Sequence, residues 1–323
     1  MKLCATFALP LLAYVAKAAV LGPKFDEFPS VVGDNRITNG TKVAQGDAPF
    51  LVRLIMIAGN RQGLCGGTII DSTTIVTAGH CVYLGSDGQV RKPKDIYAFY
   101  GSVSSSSTQY IKPTSVTLHP EYDSKEFRND IAILRVPEIK FKKGVVEAVP
   151  VYDKDISPKQ AMEIFGWGTM RSHGTSLDNP PSLLTQTVYV SQPKACQVIE
   201  PRYNGANGMQ VCTDAHYSVG VDACQGDSGT GATIKKDGKH YLAGLVSYGT
   251  NRYGEATCGE DGSFGMYTRI SYFLPWIKSS GSSGYTVGPP TSATPSSDVP
   301  TQASPTPAEP KPTTTCYFYF FCF

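Results

Sequence analysis

Ser228 lies in the stretch DACQGDSGTG (residues 222–231), between two glycines and directly after Asp227. A serine hydroxyl attacks a carbonyl carbon only when a neighbouring base accepts its proton and a third group orients that base. His80, in TIVTAGHC, and Asp130, in RNDIAILRV, are the candidate base and carboxylate, since each adjoins a β-rich run. Each segment alone is also typical of a polar turn or a strand cap. Together they indicate acyl transfer through a covalent intermediate.

The order His80, Asp130, Ser228 in these local sequences resembles the chymotrypsin and trypsin family of serine proteases, over roughly residues 36 to 278. The resemblance implies that Ser228 attacks the scissile carbonyl, that His80 is general base and then general acid, and that Asp130 holds the imidazole tautomer. It also implies an oxyanion hole made by the backbone N–H groups of Gly226 and Ser228. Further segments resemble family landmarks: FGWGT (165–169), LVSYG (245–249), FGMYTRI (264–270) and PWI (275–277).

Asp222, six residues before the nucleophile, matches the base of the family's primary specificity pocket. A carboxylate in a narrow pocket selects a long cationic side chain, because an apolar one would leave the buried charge unpaired. Gly249 and Gly265 match the pocket walls and predict an open pocket. Ala223 stands where lysine-tolerant relatives carry serine, and loss of that hydroxyl disfavours an ammonium more than a guanidinium. The resemblance therefore predicts cleavage of proteins or peptides after Arg, and less readily after Lys.

Three more side chains are expected along the substrate path. Ser247 and Tyr248 lie in LVSYG and are expected to contact the substrate, with Tyr248 in place of a frequent tryptophan. Phe127, three residues before Asp130, is expected to crowd the second subsite.

An activation site is implied by the segment DNRITNGT, which resembles the family's propeptide junction. Cleavage after Arg36 would release residues 19–36 and free the amine of Ile37, whose ammonium would pair with Asp227 and order the pocket. Either this protease itself or another one would make the cut. Asn39 begins the sequon Asn-Gly-Thr, which is either glycosylated or an unmodified exposed loop.

Some positions depart from the family pattern. Gly79 replaces an alanine beside the histidine, and Thr230 and Gly231 replace Gly-Pro after the nucleophile. None of these residues is an implied donor to the oxyanion or a member of the proton relay. A catalytically weak homologue that binds or inhibits another enzyme is the alternative. The loop GSVSSSSTQY (101–110) has no carboxylate, so we expect no calcium ion there, and no metal or other cofactor is expected.

Nine cysteines are present, and without Cys4 an even number remains. Spacing alone does not give their connectivity. No Cys-x-x-Cys or His-x-x-x-His spacing occurs, which favours disulfide bonds over a zinc site. The family resemblance implies the pairs Cys65–Cys81, Cys196–Cys212 and Cys224–Cys258.

The N-terminal residues 1–18 combine a lysine, an apolar stretch and Ala16-Lys17-Ala18, a pattern typical of a cleaved secretory signal. A membrane anchor is disfavoured because Lys17 interrupts the apolar stretch. We expect a secreted, extracellular protein whose mature form is a monomer without a transmembrane segment. The net charge is only +2, with no basic run, so nucleic acid is not an expected partner. Protein inhibitors of proteases are expected partners besides substrates.

Short β-rich runs separated by Gly, Pro, Asn and Ser predict an all-β sandwich or barrel. The family resemblance implies two six-stranded antiparallel β-barrels over residues 37–278, ending in a short helix with Pro275 in its first turn. Residues 279–315 are rich in Ser, Thr and Pro and predict a disordered stalk. The tip CYFYFFCF (316–323) is either an adhesive loop closed by Cys316 and Cys322 or an extension that is trimmed off.

Overall fold

The structure is a computed structural model of the 323-residue chain. It describes residues 40–59, 61–85, 89–169, 179–214, 221–260, 262–282 and 284–288. Several expected features lie outside the described residues, namely the signal segment 1–18, the propeptide 19–36, Arg36, Ile37, Asn39, the stalk beyond residue 288 and the tip 316–323. The described part consists mainly of β-strands and turns, as the sequence predicts.

The first of two antiparallel sheets is built from residues 51–135. Strand β1 (Thr41–Lys42) joins the second sheet, and the first contains β2 (Leu51–Ala58), β3 (Arg61–Asp71), β4 (Thr74–Thr77), β5 (Ile96–Tyr100), β6 (Tyr110–Ile111), β7 (Ser115–Leu118) and β8 (Ala132–Arg135). Its strand order is β6-β5-β2-β3-β4-β8-β7. Each strand therefore pairs with neighbours close in sequence, apart from the contact of β2 with β5 and of β4 with β8.

The second sheet contains β9 (Ala161–Gly166), β10 (Leu184–Tyr189), β11 (Gln210–Asp214), β12 (Gly231–Lys236), β13 (Lys239–Asn251) and β14 (Ser263–Arg269). Its order is β1-β10-β9-β12-β13-β14-β11. The expected six strands per barrel are therefore seven in each sheet. The difference comes from two-residue strands: β6 pairs with β5 at the edge of the first sheet, and β1 crosses to pair with β10.

The three largest apolar clusters of the described residues fill the two curled sheets and the interface between them. One lies within each sheet, and the third lies between them, where Phe50 and Ile133 of the first sheet pack with Phe165 and Leu245 of the second. Helix α3 (Leu274–Ser279) covers this interface through Ile277, and Pro275 lies in its first turn as expected. Of the helices that the structure describes, none is long and apolar enough to cross a bilayer.

The chain after helix α3 packs against the protein, which corrects the expectation that the fold ends at residue 278. We call residues 280–282 and 284–288 the C-terminal strap. Ser282 is fully buried, and its Oγ donates to Oδ2 of Asp71 at 2.6 Å. Further along, the N–H of Val151 donates to the carbonyl of Thr286 at 2.7 Å. The strap thus joins the first sheet to the segment that connects the two sheets.

Three disulfide bonds join the pairs that the resemblance implies. Cys65–Cys81 links β3 to helix α1 (Gly79–Val82), and Cys196–Cys212 links helix α2 (Pro193–Cys196) to β11. Cys224–Cys258 links the segment before Ser228 to the loop between β13 and β14. Two of the bonds therefore lie next to candidate site residues, since Cys81 follows His80 and Cys224 lies four residues before Ser228.

Candidate active site

His80 is positioned by the end of strand β4, which passes directly into the short helix α1. Gly79 precedes it, and a Cβ at Gly79 would lie only 2.9 Å from Leu118 Cδ1 and 3.2 Å from Asp130 Oδ1. The glycine thus lets the backbone of His80 come close to Asp130. This gives a steric reason for one departure from the family pattern.

Asp130 and His80 form a doubly connected pair in the interior. The backbone N–H of His80 donates to Oδ1 of Asp130 at 2.8 Å, and Nδ1 of the imidazole lies 2.9 Å from Oδ2. Asp130 is 1 % exposed, and burial alone would raise the pKa of its carboxyl. The charge of His80 and the hydrogen bonds from His80 and Ser247 outweigh burial, so the pKa is lowered. Asp130 is therefore an ionised acceptor that fixes the imidazole.

Ser228 lies in a turn whose shape depends on glycine. Gly226 and Gly229 have φ values of +97° and +80°, a region that favours glycine. A Cβ at Gly229 would also lie 2.3 Å from Oγ1 of Thr77 at the end of β4. The carbonyl of Ser228 accepts the N–H of Gly66 at 2.7 Å. The turn is thereby docked on the strand end that leads to His80.

The backbone donors of this turn point to an oxyanion site. The N–H of Asp227 donates to the carbonyl of Cys224, and that of Gly229 donates to Val246. Within the described part of the chain, the N–H groups of Gly226 and Ser228 have no acceptor. Two unpaired donors on either side of Asp227 are thus available to an incoming oxygen atom.

Asp222 is buried beside strands β13 and β14 of the second sheet. Its Oδ1 accepts the N–H of Ala223 at 2.8 Å, whereas Oδ2 is buried and receives no well-aligned hydrogen bond from the described residues. A Cβ at Gly265 would lie 2.8 Å from Oδ1, and one at Gly249 would lie 3.6 Å from Oδ2. Burial raises the pKa of Asp222 to about 7. No described cation pairs with Asp222, and the absence of side chains at Gly249 and Gly265 leaves space beside it.

Asp227 is buried on the other side of the turn that carries Ser228. The N–H groups of Gly168 and Cys224 donate to its two oxygens at 2.6 and 2.9 Å. Burial nevertheless raises the pKa of Asp227 to about 7, because no described cation pairs with it. A Cβ at Gly166 would lie 1.7 Å from Oδ1. The glycines of FGWGT are thus explained by the close approach of this carboxylate.

Thr230 and Gly231 fit without disturbing the turn. Thr230 is fully buried, and a Cβ at Gly66 would lie 1.8 Å from its Oγ1, so the threonine occupies the space above a glycine of β3. Its backbone N–H still donates to the carbonyl of Asp227 at 3.0 Å. Gly231 begins β12, where a Cβ would lie 2.6 Å from Oγ1 of Thr68.

Two further side chains, those of Ser247 and Thr268, donate hydrogen bonds to Asp130. No sequence pattern predicted either contact. The Oγ of Ser247 donates to Oδ2 of Asp130 at 2.5 Å, and the contact of Ser247 with the substrate stays a prediction. Thr268, which no local motif indicated, donates from Oγ1 to the carbonyl of Asp130 at 2.8 Å. Both lie more than a hundred residues from Asp130 in the chain, so only the fold reveals them.

The ring of Phe127 lies against those of His80 and Tyr248. Its ring centroid is 5.7 Å from that of His80 and 5.1 Å from that of Tyr248. The residue has a φ of +50°, which is uncommon for a bulky side chain. The ring therefore bridges the two sheets above the imidazole.

One cluster of metal-ligating residue types occurs among the described residues, Cys65, His80 and Cys81. Both sulfur atoms belong to the same disulfide bond. They are therefore not free thiolates, which are the form that binds a metal.

A sequence model described as Trypsin matches residues 37–277. The chain belongs to the trypsin family. Its fold of two curled antiparallel sheets with a short C-terminal helix agrees with this assignment, and the chain is a serine endopeptidase of the chymotrypsin and trypsin type.

Curated relatives agree with the family assignment. Trypsin Tyr p 3.0101 of Tyrophagus putrescentiae is 31 % identical over 252 residues, which cover 77 % of this chain and 82 % of the relative. Trypsin Blo t 3 of Blomia tropicalis is 31 % identical over 294 residues, covering 87 % and 99 %. Phenoloxidase-activating factor 3 of Holotrichia diomphalia is 30 % identical over 267 residues, covering 76 % and 73 %.

Proposed function

We propose that this trypsin-family endopeptidase is secreted as a zymogen and hydrolyses peptide bonds after Arg, and less readily after Lys. Ser228 is the nucleophile, His80 the general base and acid, and Asp130 the orienting carboxylate. The observation that carries the proposal is the buried His80–Asp130 pair, with two hydrogen bonds of 2.8 and 2.9 Å, beside the docked turn of Ser228.

The proton path follows from these contacts. Asp130 is ionised and accepts from Nδ1, so the neutral imidazole of His80 carries its proton there and leaves Nε2 free to take the proton of Ser228. The Ser228 oxygen attacks the carbonyl carbon, and the N–H groups of Gly226 and Ser228 stabilise the resulting oxyanion. His80 then protonates the leaving amine. Water repeats the sequence on the acyl-enzyme and releases the acid product.

Specificity is assigned to the pocket above Asp222. An arginine or lysine side chain that reaches this buried carboxylate supplies the missing cation. A phenylalanine side chain would leave the charge unpaired in a site of low dielectric constant, which disfavours its binding. The planar guanidinium can contact both oxygens of Asp222, so Arg is preferred.

We assign activation of the zymogen to cleavage between Arg36 and Ile37, which lie outside the described residues. Cleavage after Arg36 would create the ammonium of Ile37 as a partner for Asp227. The support is that Asp227 is fully buried with a pKa raised to about 7 and no described cation beside it. Residues 1–18 and 19–36 serve as signal and propeptide, and Asn39 as a glycan acceptor. The mature enzyme works as an extracellular monomer that protein inhibitors block at the same cleft.

The test is hydrolysis of matched arginyl, lysyl and phenylalanyl peptide reporters by protein cut after Arg36. The control is the Ser228→Ala variant, cut in the same way. We expect the arginyl reporter to be cleaved fastest, the phenylalanyl reporter to resist, and the variant to be inactive. No turnover by protein whose N-terminus is confirmed as Ile37 would contradict the proposal and favour a binding homologue.

A further inference from the structure

Arg53 is a buried cation with no counter-charge among the described residues. It lies in β2 among apolar residues and is only 7 % exposed. Its guanidinium carbon lies 4.8 Å from the centroid of the Phe99 ring. Nε is buried, and no hydrogen bond or ion pair joins the guanidinium to any residue that the structure describes. Burial lowers the pKa of Arg53 to about 10, which still leaves the group charged at neutral pH.

Arg53 is one of the residues that line a narrow pocket between the two sheets, which we call the Arg53 pocket. The space inside it that a water-sized group can enter is only ≈ 20 Å³, and the pocket is partly open to solvent. The other lining residues are Leu64, Ser105, Trp167, Asn179, Pro180 and Pro181. The lining contains no acidic side chain among the described residues, so the positive charge of Arg53 is not neutralised within it.

The walls of the Arg53 pocket are held by hydrogen bonds across the interface of the two sheets. The N–H of Ser105 donates to the carbonyl of Pro181 at 2.9 Å, and Nδ2 of Asn179 donates to the carbonyl of Trp167 at 2.5 Å. The indole N–H of Trp167 donates to the carbonyl of Val103 at 2.9 Å. The pocket is therefore a formed feature and not a gap between mobile side chains.

The pocket adjoins the proposed oxyanion site. A Cβ at Gly226 would lie 3.0 Å from Cδ2 of Leu64, so these two residues are in close contact. The pocket above Asp222 is formed by the second sheet, whereas Leu64 and Arg53 belong to the first. The residue that precedes the scissile bond occupies the Asp222 pocket. The Arg53 pocket therefore lies on the other flank of Gly226, along the path of the leaving segment.

We propose that the Arg53 pocket binds a carboxylate on the substrate segment that follows the scissile bond. The inference rests on the proposed function and narrows its substrates to chains with an acidic group within the first three residues after the cut. Arg is suited to this task, because its fork of N–H donors matches a carboxylate. The Phe99 ring beside the guanidinium favours one orientation of the guanidinium plane. The carboxylate is either an Asp or Glu side chain or a free C-terminus.

The test uses peptides with Arg before the scissile bond and Glu or Gln at the first, second or third position after it. Each peptide is made with an amidated and with a free C-terminus, which distinguishes the two sources of carboxylate. We expect kcat/KM at one position to be about tenfold higher for Glu than for Gln, a ratio equal to ~1.4 kcal/mol. Arg53→Met is expected to abolish the ratio and Arg53→Lys to reduce it.

Two variants serve as controls. Arg61→Met removes an exposed arginine of β3 and is expected to keep the ratio. Asp178 precedes Asn179 in sequence and lies outside the described residues, so it is a competing carboxylate within the chain. Asp178→Asn is expected to leave the ratio unchanged. If the Glu peptide is preferred over the Gln peptide only in Asp178→Asn, the proposal is overturned, because the carboxylate of Asp178 would then be the natural occupant of the Arg53 pocket.

Two further readouts separate the failure of this inference from the failure of the proposed function. Cleavage of the arginyl reporter without any Glu preference would overturn the inference alone. If no peptide is cleaved, binding of the amidated Glu peptide to the Ser228→Ala variant, measured by calorimetry, still tests the pocket. Equal affinity for the Glu and Gln peptides would overturn it. If Arg53→Met fails to fold, Arg53→Lys carries the comparison.

Discussion

Ser247 donates from Oγ to Oδ2 of Asp130, the same oxygen that lies 2.9 Å from Nδ1 of His80. The hydroxyl and the imidazole therefore share one carboxylate oxygen. Ser247 acts through Asp130 and is a positioning residue of the proton path. This contact also lowers the pKa of Asp130.

Replacing Ser247 by alanine is expected to weaken this arrangement without removing a catalytic group. Loss of a hydrogen bond to a buried carboxylate costs about 1.5–3 kcal/mol. We therefore expect kcat for an arginyl reporter to fall roughly tenfold or more, with a smaller change in KM. Ser271→Ala, which removes another serine hydroxyl, is the matched control. An unchanged kcat in Ser247→Ala would show that the contact does not support the proton path.

Binding of an amidinium inhibitor is expected to depend on the ionisation of Asp222. Burial raises the pKa of Asp222 to about 7. Below that pH, Asp222 must lose a proton before it can pair with the amidinium cation. The dissociation constant of benzamidine should rise by about tenfold per pH unit below 7 and become constant above it. Titrations of Ser228→Ala protein between pH 5 and 9 would measure this. Asp222→Asn should bind weakly with little pH dependence, and benzamide, which is neutral, provides the ligand control.

The uncut chain is expected to lose stability as the pH rises from about 4 to 7. Burial raises the pKa values of Asp222 and Asp227 to about 7, above the ordinary value of 3.8, so in this window the folded state holds protons that the unfolded state has released. The free energy of unfolding then decreases with pH, by at most ~1.4 kcal/mol per pH unit for each group, and levels off above 7.

Cutting after Arg36 should reduce this dependence, because the new ammonium of Ile37 would hold Asp227 ionised. Thermal unfolding of uncut and cut Ser228→Ala protein at pH 5 and 8 gives the comparison. Equal pH dependence before and after the cut would argue against the pairing of Ile37 with Asp227.

Phe127 is expected to restrict the substrate residue that precedes the primary site residue. Its ring lies between His80 and Tyr248, and Phe127→Gly would remove the ring while tolerating the φ of +50°. We expect the variant to accept bulky second-subsite residues such as Leu or Phe that the parent cleaves poorly. Peptides that differ only at that position, from Gly to Phe, would give the ratio of kcat/KM. A ratio that does not change would mean that the ring moves aside.

The contact of Ser282 with Asp71 is expected to stabilise the fold. Burial would raise the pKa of Asp71, but hydrogen bonds from Ser282 and Thr73 outweigh it and lower the pKa. Ser282→Ala removes one of these donors and should cost about 1–3 kcal/mol of unfolding free energy. Thr286→Ala, at an exposed strap residue, should cost much less. Denaturant unfolding of both variants measures the difference, and a chain ending at Ser279 should lose at least as much stability as Ser282→Ala.

The candidate triad could be predicted from sequence because each member sits in a local pattern that specifies its surroundings. His80 follows a strand and adjoins Cys81, and Ser228 is flanked by glycines that its turn requires. The contact between Ser247 and Asp130 could not be predicted in this way. The two residues are 117 positions apart, and a serine in a buried strand gives no sign of its partner.

The boundary of the fold was misplaced for a related reason. Residues 279–315 have the average composition of a disordered segment, and that average conceals Tyr285 near the beginning. Tyr285 packs against the apolar cluster between the two sheets. Ser282 is buried and donates a hydrogen bond to Asp71, which is 211 positions away in the chain. Arg53 is similar, because an arginine in LVRLIM gives no indication that the fold buries it without a counter-charge.

The C-terminal strap also sets where the tail leaves the enzyme. Ser282 contacts Thr74 at the start of β4, whereas His80 follows the opposite end of the same strand. The strap then runs on to Gly288, the last residue that the structure describes, where a Cβ would lie 2.8 Å from Oδ1 of Asp153. The tail therefore begins beside the segment that connects the two sheets, at a point that the strap also anchors to the first sheet through Ser282.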